Sequence, residues 1–574
     1  MRLGGANYVK KKDTVAVLLA GAAIVFAAGV FAKKLVADDD HRDHFRFAPD
    51  SIVLTRSVYV GDASTVIAGE ALPPGCVGGA TGLTVQVPLI AGGTTPVAVP
   101  CGFASDNGEF PNDQDSHNVW NNSGTDGSFG ITSPIFLDNM TVDGWVLGTL
   151  PIPTDHMVTS FSSKSELALN RSVDGKSLTF MGYHGGVGCG GSTVSPTAPN
   201  LIDVSASNTP GICDPTNPVT SSLQNTPNIP TAYYRAVAEV DADGHLSITD
   251  GNAYSGDNGR AASKGANGDY YMAGNDNSGN IGKKQLATTV AGSDLINATG
   301  AETLTPGVTT VPPNIGMIGR LEFLSGDKPG KDTNFRGLTI YNNTLYVSKG
   351  SGGNGINSVF QAGTLGTLPA GTAADLGTVP LNILPGFPNT EASTGTNFPF
   401  GMFFANATTL YVCDEGDGTL VTPAVNGNVA DAQSQATAGL QKWVLQNGTW
   451  TMIYAIQNGL NIGVPYSVAH YPASIDPATG GCRNIAGRVN GDGTVTIWAI
   501  TSTISANGDT GADPNKLVKV TDVISATTLP TGDGDHDRDD QIGVFRTIRS
   551  ARAGEVFRGV ALAPADHDGG HGWW

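Results

Sequence analysis

RGLTIYNNTLYVSKG, residues 336–350, holds two short apolar strands around an Asn-Asn pair and ends in a polar glycine loop. Four other stretches repeat that plan. They are ELALNRSVDGKSLTFMGYH (166–184), RAASKGANGDYYMAGND (260–276), FGMFFANATTLYVCDEG (400–416) and RNIAGRVNGDGTVTIWAIT (483–501). A sixth start, RGVALAP (558–564), is followed by no second strand. Self-similarity at long period marks a solenoid, a propeller or an array. Short apolar runs bounded by turn residues dominate the rest of the chain, which argues for an all-β fold.

The repeat extends to a four-stranded antiparallel meander, the form of a propeller blade. In the fourth repeat the strands are Gly337–Tyr341, Leu345–Lys349, Ser358–Gln361 and Leu381–Leu384. The fifth reads Met402–Phe404, Leu410–Cys413, Leu440–Leu445 and Trp450–Ile456, with Asn447-Gly448 as a strong hairpin turn. The second reads Leu167–Leu169, Leu178–Gly182, Val237–Val240 and Leu246–Thr249. Repeat starts are 94, 76, 64, 83 and 75 residues apart, longer than a compact blade of ~40–50 residues, so the loops are long. Six innermost strands mean a single β-propeller of six four-stranded blades, or seven if one repeat has diverged. The N- and C-terminal strands share one blade: Ile52–Tyr59, Pro134–Asp138 and Trp145–Leu150 fill its outer positions and Arg558–Pro564 its inner one. Such closure leaves no free edge at the seam.

Of 574 residues only 14% are charged, and Gly (77) and Pro (33) are abundant without reaching low complexity. The net charge is −19; residues 1–32 carry +3, which leaves −22 on the remainder. That balance disfavours nucleic acid and anionic membranes as partners. Residues 1–32 combine three lysines with an apolar run from Thr14 to Ala32, the pattern of a signal peptide cleaved after Ala32. The alternative is an uncleaved membrane anchor. Either way the chain is expected to be exported, secreted or held in the periplasm or at the cell surface, as a monomer. Residues 33–50 read as a polar tail, 51–564 as the propeller with long insertions near 65–132 and 187–230, and 565–574 as a C-terminal tail.

Six cysteines and no C-x-x-C suit an exported, disulfide-bonded chain. The repeat register pairs Cys76 with Cys101, Cys189 with Cys213, and Cys413 with Cys482. In a meander, the connection between the second and third strands emerges on the same face as the connection between blades. That places Cys413 beside Cys482.

The blocks SIVLTRSVY, SPIFLDNMTVDGWVLGTLPIPT, NTLYVSKGSG, TTLYVCDEG, GLQKWVLQNGTW and VFRGVALAP, in this order, resemble a family of secreted bacterial β-propeller proteins of largely unassigned activity. The likeness covers most of 50–564. It implies the fold and export, and it carries over no catalytic residue.

The same face gathers the candidate site. Arg260, Arg336 and Arg558 each precede an innermost strand, Arg483 stands near the equivalent place, and Glu166 and Phe400 occupy the other two. His184, Asp276, Lys349, Asp414 and Glu415 come from the adjoining loops. Several arginine forks around one opening would make a local trap for carboxylate or phosphate. The structural alternative is that each arginine ties one blade to its neighbour.

Residues 533–540 (DGDHDRDD) half match a calcium loop, with Asp535, Asp537 and Asp539 as first, third and fifth ligands, but Asp540 and Arg546 replace the expected Gly and Glu. No other cofactor is evident. The glycine run at 350–355 is followed by INSVFQ, strand-like rather than helical, so it reads as a loop and not a dinucleotide site. Two function classes follow. One is an exported binding or surface-interaction propeller with an anionic or carbohydrate ligand at one channel mouth. The other is an extracellular metal-dependent hydrolase or lactonase of propeller type. Four arginines and Lys349 stand against four acids at the expected mouth, which favours the binding protein over the enzyme.

Overall fold

Asn342 and Asn343 both sit at positive φ, 45° and 55°, the backbone of a type I′ hairpin whose twist matches the strands it joins. Asn447 (51°) and Gly448 (81°) do the same in the fifth repeat. These turns set the register of Phe335–Tyr341 against Thr344–Lys349, and of Gly439–Gln446 against Thr449–Ile456.

The computed structural model describes residues 45–59, 133–185 except 155 and 162, 233–251, 258–274, 335–350, 356–370, 379–390, 397–418, 436–471, 476–505, 511–530 and 541–565, with the backbones of a few short strands between them. The segment 1–32, most of the two insertions, Cys76, Cys101, Cys189, Cys213, Asp276, Asp535, Asp537, Asp539 and the tail after residue 565 lie outside the described residues.

The described residues are all-β, with no helix. Five sheets have the expected four antiparallel strands. The closing sheet runs, from inside outward, Glu555–Leu562, Ile52–Val58, Ile135–Met140 and Val146–Pro151. The second sheet is Asn170–Arg171, Ser177–Gly185, Tyr233–Asp241 and Leu246–Gly251. The third begins with Gly259–Lys264 and Tyr270–Gly274. The fifth is Pro399–Asn406, Thr409–Asp414, Gly439–Gln446 and Thr449–Ile456. The sixth is Ala478–Val489, Thr494–Ile504, Lys516–Val523 and Arg546–Ser550. The fourth has five strands: Phe335–Tyr341, Thr344–Lys349, Ser358–Ala362 and Pro380–Ile383 form the meander, and Glu322–Phe323 joins its outer edge in parallel.

Innermost strands touch in chain order from the second sheet to the sixth, then the closing strand, which returns to the second. This is a β-propeller arrangement of small sheets about one axis. Apolar layers fill the wedges between sheets. Tyr271, Phe335, Val347 and Phe360 pack between the third and fourth sheets, and Tyr346, Phe404, Trp443 and Trp450 between the fourth and fifth. Tyr411, Leu440, Ile497 and Val520 lie between the fifth and sixth, and Leu54, Trp498, Phe557 and Val560 between the sixth and the closing sheet.

Glycine at the second place of the repeat is a packing requirement in three of the sheets. A Cβ at Gly337 would meet Phe400 O at 2.4 Å, one at Gly401 would meet Arg483 O at 2.7 Å, and one at Gly559 would meet Leu169 N at 2.3 Å. This place, Arg-Gly in the fourth and closing sheets and Phe-Gly in the fifth, therefore sits where neighbouring backbones come close.

Cys413 and Cys482 form a disulfide across a separation of 69 residues, joining the fifth and sixth sheets as the register required. In the second sheet the expected inner strand Leu167–Leu169 is displaced: the ladder begins at Asn170, and Ala168 bridges Ala261 of the third sheet instead. Leu167 adopts φ 60°, a conformation bulky side chains rarely take. It turns the chain from the channel mouth down into the inner strand.

Candidate functional site: two channel mouths

At the mouth where the inner strands begin, the arginines are buried and committed to other parts of the chain. Residues from the stretch between Thr159 and Glu166, namely Phe161, Ser163, Lys164 and Ser165, reach the charged groups at this opening. Thr159 and Ser160 pair with Thr132–Ser133. Arg558 donates from Nη1 to Ser163 O and from Nη2 to Phe161 O. Arg336 donates from Nε to Gly350 O (2.7 Å) and from Nη1 to Ser165 Oγ (2.9 Å). Arg260 donates from Nη1 to Phe335 O (2.8 Å) at the head of the next inner strand. Arg483 donates from Nε to Glu415 Oε2 (2.9 Å), whose other oxygen lies 3.9 Å from Lys164 Nζ.

Glu166 is the acid around which this mouth is organised. It accepts from Thr159 Oγ1 (2.7 Å), Ser160 N (3.0 Å), Asn258 Nδ2 (2.6 Å) and the Tyr183 hydroxyl. Burial pushes the Arg558 guanidinium down to about 9; Glu166 opposes that shift and Arg483 adds to it. Asp414 accepts from Phe398 N, Gly416 N and Gln441 Nε2, each at 2.9 Å. Its complete burial still raises it to about 7, against the lowering effect of the two backbone donors. His184 and Lys349 are buried at the ends of their strands. The sequence thus brings Arg260, Arg336, Arg483, Arg558, Glu166, Asp414 and Glu415 to one end of the fold. The contacts described there follow the strut alternative, with partners between Thr159 and Glu166 that the repeat gave no reason to expect.

Among the described residues the opposite mouth is open. A cavity of about 290 Å³ lies where the inner strands end, walled by the inner strands of the sheets described above. Tyr341, Met402, Phe403 and Phe404 form an apolar wall, and Tyr341 stacks on Phe404 at 4.7 Å between centroids. Gly487 leaves room for the Phe403 ring, which a Cβ there would meet at 2.3 Å. Asn170, Ser172, Ser263 and Thr339 add polar groups. Arg171 is the one charged side chain of the lining. None of these residues was singled out by motif. The available signal was positional: the residues that end each inner strand are as clustered as those that begin it.

Among the described residues no group of three His, Cys, Asp or Glu is placed to hold a metal ion. Residues 533–540 fall between the third and fourth strands of the sixth sheet, outside the described residues.

No family model matches the chain, and no curated protein does. Among solved structures it is similar to a putative oxidoreductase (glucose dehydrogenase) from Thermus thermophilus, at 12% identity and TM-score 0.26, covering 74% of this chain and 92% of that one. The parainfluenza virus 5 hemagglutinin-neuraminidase ectodomain matches at 9% identity and TM-score 0.27, over 86% of this chain and 92% of that one. The NanB sialidase of Streptococcus pneumoniae matches at 6% identity and TM-score 0.29, over 78% of this chain and 68% of that one. At such scores these likenesses carry no argument about substrate or mechanism, and the fold assignment rests on the sheet topology above.

Proposed function

We propose that the chain is an exported binding propeller of six blades that takes a small ligand, an anionic molecule or a carbohydrate, in the open mouth of its channel. The blade count follows from treating the five-stranded sheet as a sixth meander with one added edge strand. The Cys413–Cys482 disulfide supports an oxidising compartment. One observation carries the binding reading. The cavity at the strand ends joins an apolar, aromatic wall to a few converging polar groups, the usual constitution of a small-molecule site, and lies at the small end of their range. Function on a propeller is carried by the residues a rigid scaffold presents at a mouth. The arginine-lined mouth supports this reading less well, because Phe161, Ser163 and Ser165 take up donors of Arg558 and Arg336, Phe335 O one of Arg260, and Glu415 one of Arg483.

The test is a panel of neutral monosaccharides and small organic acids, screened against the full chain by ligand-detected NMR. Binding in the wild type and its loss in Thr339→Trp, which fills the cavity from the fourth sheet, is the expected result. Absence of binding across the panel, or binding that Thr339→Trp leaves untouched, overturns the reading.

A further inference from the structure

Arg171 ends the short inner strand of the second sheet, and its backbone is held by pairing with Leu178. Its Nε donates to Gly175 O at 3.0 Å, so the guanidinium is anchored through one nitrogen. Among the described residues, its two terminal nitrogens donate no hydrogen bond. Among the described residues, the carboxylate whose charge acts on it is Asp174, which turns Oδ1 to Ser172 Oγ (2.6 Å) and Lys176 N (3.1 Å). Burial lowers the Arg171 pKa, and Asp174 opposes the shift only through space. Of the two lysines whose charge acts on Asp174, Lys176 is exposed and Lys264 is paired with Glu239. Lys264 donates to Glu239 at 2.8 and 3.0 Å, and the Arg488 guanidinium lies over the Trp498 ring at 5.5 Å.

A half-buried guanidinium with an anchored Nε and two unspent nitrogens is a preset fork for two oxygens. In the order of inner-strand contacts, the second and fifth sheets are three steps apart in either direction. The wall facing Arg171 across the cavity is therefore the one that carries Met402, Phe403 and Phe404. Charge stands on one side and flat apolar surface on the other.

Resting on the binding reading above, we infer that this cavity selects a monocarboxylate borne on a single six-membered ring, with the carboxylate on Arg171 and the ring against the Tyr341, Phe403 and Phe404 wall. The rest of a strongly acidic molecule repels anions, so the site depends on the Arg171 charge and its affinity falls with added salt.

Two matched pairs separate the sources of such a ring: sodium glucuronate with glucose, and sodium benzoate with benzyl alcohol. Each is titrated calorimetrically into the full chain at low ionic strength. In at least one pair the acid binds tenfold or more tighter than its neutral partner. Arg171→Gln abolishes that preference while the melting temperature holds within a few degrees, and Arg171→Lys, which keeps the charge but loses the fork, retains part of it. The pair that responds identifies a sugar acid or an aromatic acid. Equal affinity for acid and neutral partner in the wild type, or a preference that survives Arg171→Gln, overturns the inference. Neutral sugars that bind and are lost in Thr339→Trp, without an acid preference, leave the cavity reading standing and remove this one; no binding in either pair or in the wider panel removes both.

Discussion

Arg336 spends its guanidinium on Gly350 O and Ser165 Oγ, and its charge lies 5.9 Å from the centroid of the Phe400 ring. Truncation to alanine leaves a buried carbonyl and hydroxyl short of a donor, at a cost of about 1–3 kcal/mol. Arg336→Ala is therefore expected to melt lower than wild type in thermal denaturation while binding at the opposite mouth is unchanged. Unaltered melting would return Arg336 to the list of candidate ligand groups. The position of Arg336 was legible from the repeat, since it precedes an inner strand as Arg260 and Arg558 do. Its partners were not. Ser165, Ser163 and Phe161 belong to a segment with no repeat of its own, and hydrogen bonds across 171 or 395 residues leave no local pattern. Arg171 was missed for the converse reason: it looks like an ordinary exposed residue before an Asp-Gly turn.

At the scale of the strand, close backbone packing explains why the fourth and closing inner strands both carry Arg-Gly. Gly559 faces the backbone of Leu167 and Leu169, with Leu167 O at 2.5 Å from where a Cβ would stand. Thr55 Oγ1 donates to Leu167 O at 2.8 Å in the same place. Neither neighbour can yield without moving the seam between the closing and second sheets. Gly559→Ala is expected to cost about 1–3 kcal/mol through overpacking, read as a lowered midpoint in urea. An unchanged midpoint would mean that the seam is looser than these distances require. Hairpin turns and the apolar strands beside them were readable, because Asn-Asn and Asn-Gly act through their own φ preferences. The displaced inner strand of the second sheet was not. Its Leu167 adopts a left-handed conformation that tertiary packing imposes against local preference.

Over the whole molecule, closure was the feature most fully written in the chain. Glu555–Leu562 pairs antiparallel with Ile52–Val58, as the lone sixth repeat start demanded. Phe557 and Val560 fill the wedge beside Trp498, and Asn515 ties Phe557 through both its carbonyl and its N–H, each at 2.8 Å. Asp138 binds the seam further, held by Arg56 (2.8 Å) and by Arg549 of the sixth sheet (2.8 Å), which together hold its carboxyl below the usual range against its own burial. Deleting residues 557–574 removes the innermost strand and uncovers two apolar wedges. The melting temperature should fall on the order of ten degrees or more, followed by circular dichroism, and a transition equal to wild type would refute closure by this strand. The binding mouth was less legible than the ring, because a cavity is made by what six strands leave empty, and no single stretch of residues encodes that.

The closing pair also has a direction. Ile52 lies opposite Leu562 and Val58 opposite Glu555, so the chain enters and leaves the seam at the same end, where Ala563 N donates to Ser51 O at 3.0 Å. Tension between residues 51 and 563 therefore falls first on that single bond and then on the ladder rung by rung, as in opening a zip, rather than on all rungs in shear. The fold that shields its edges so well in solution carries its mechanical weak point at the seam that completes it.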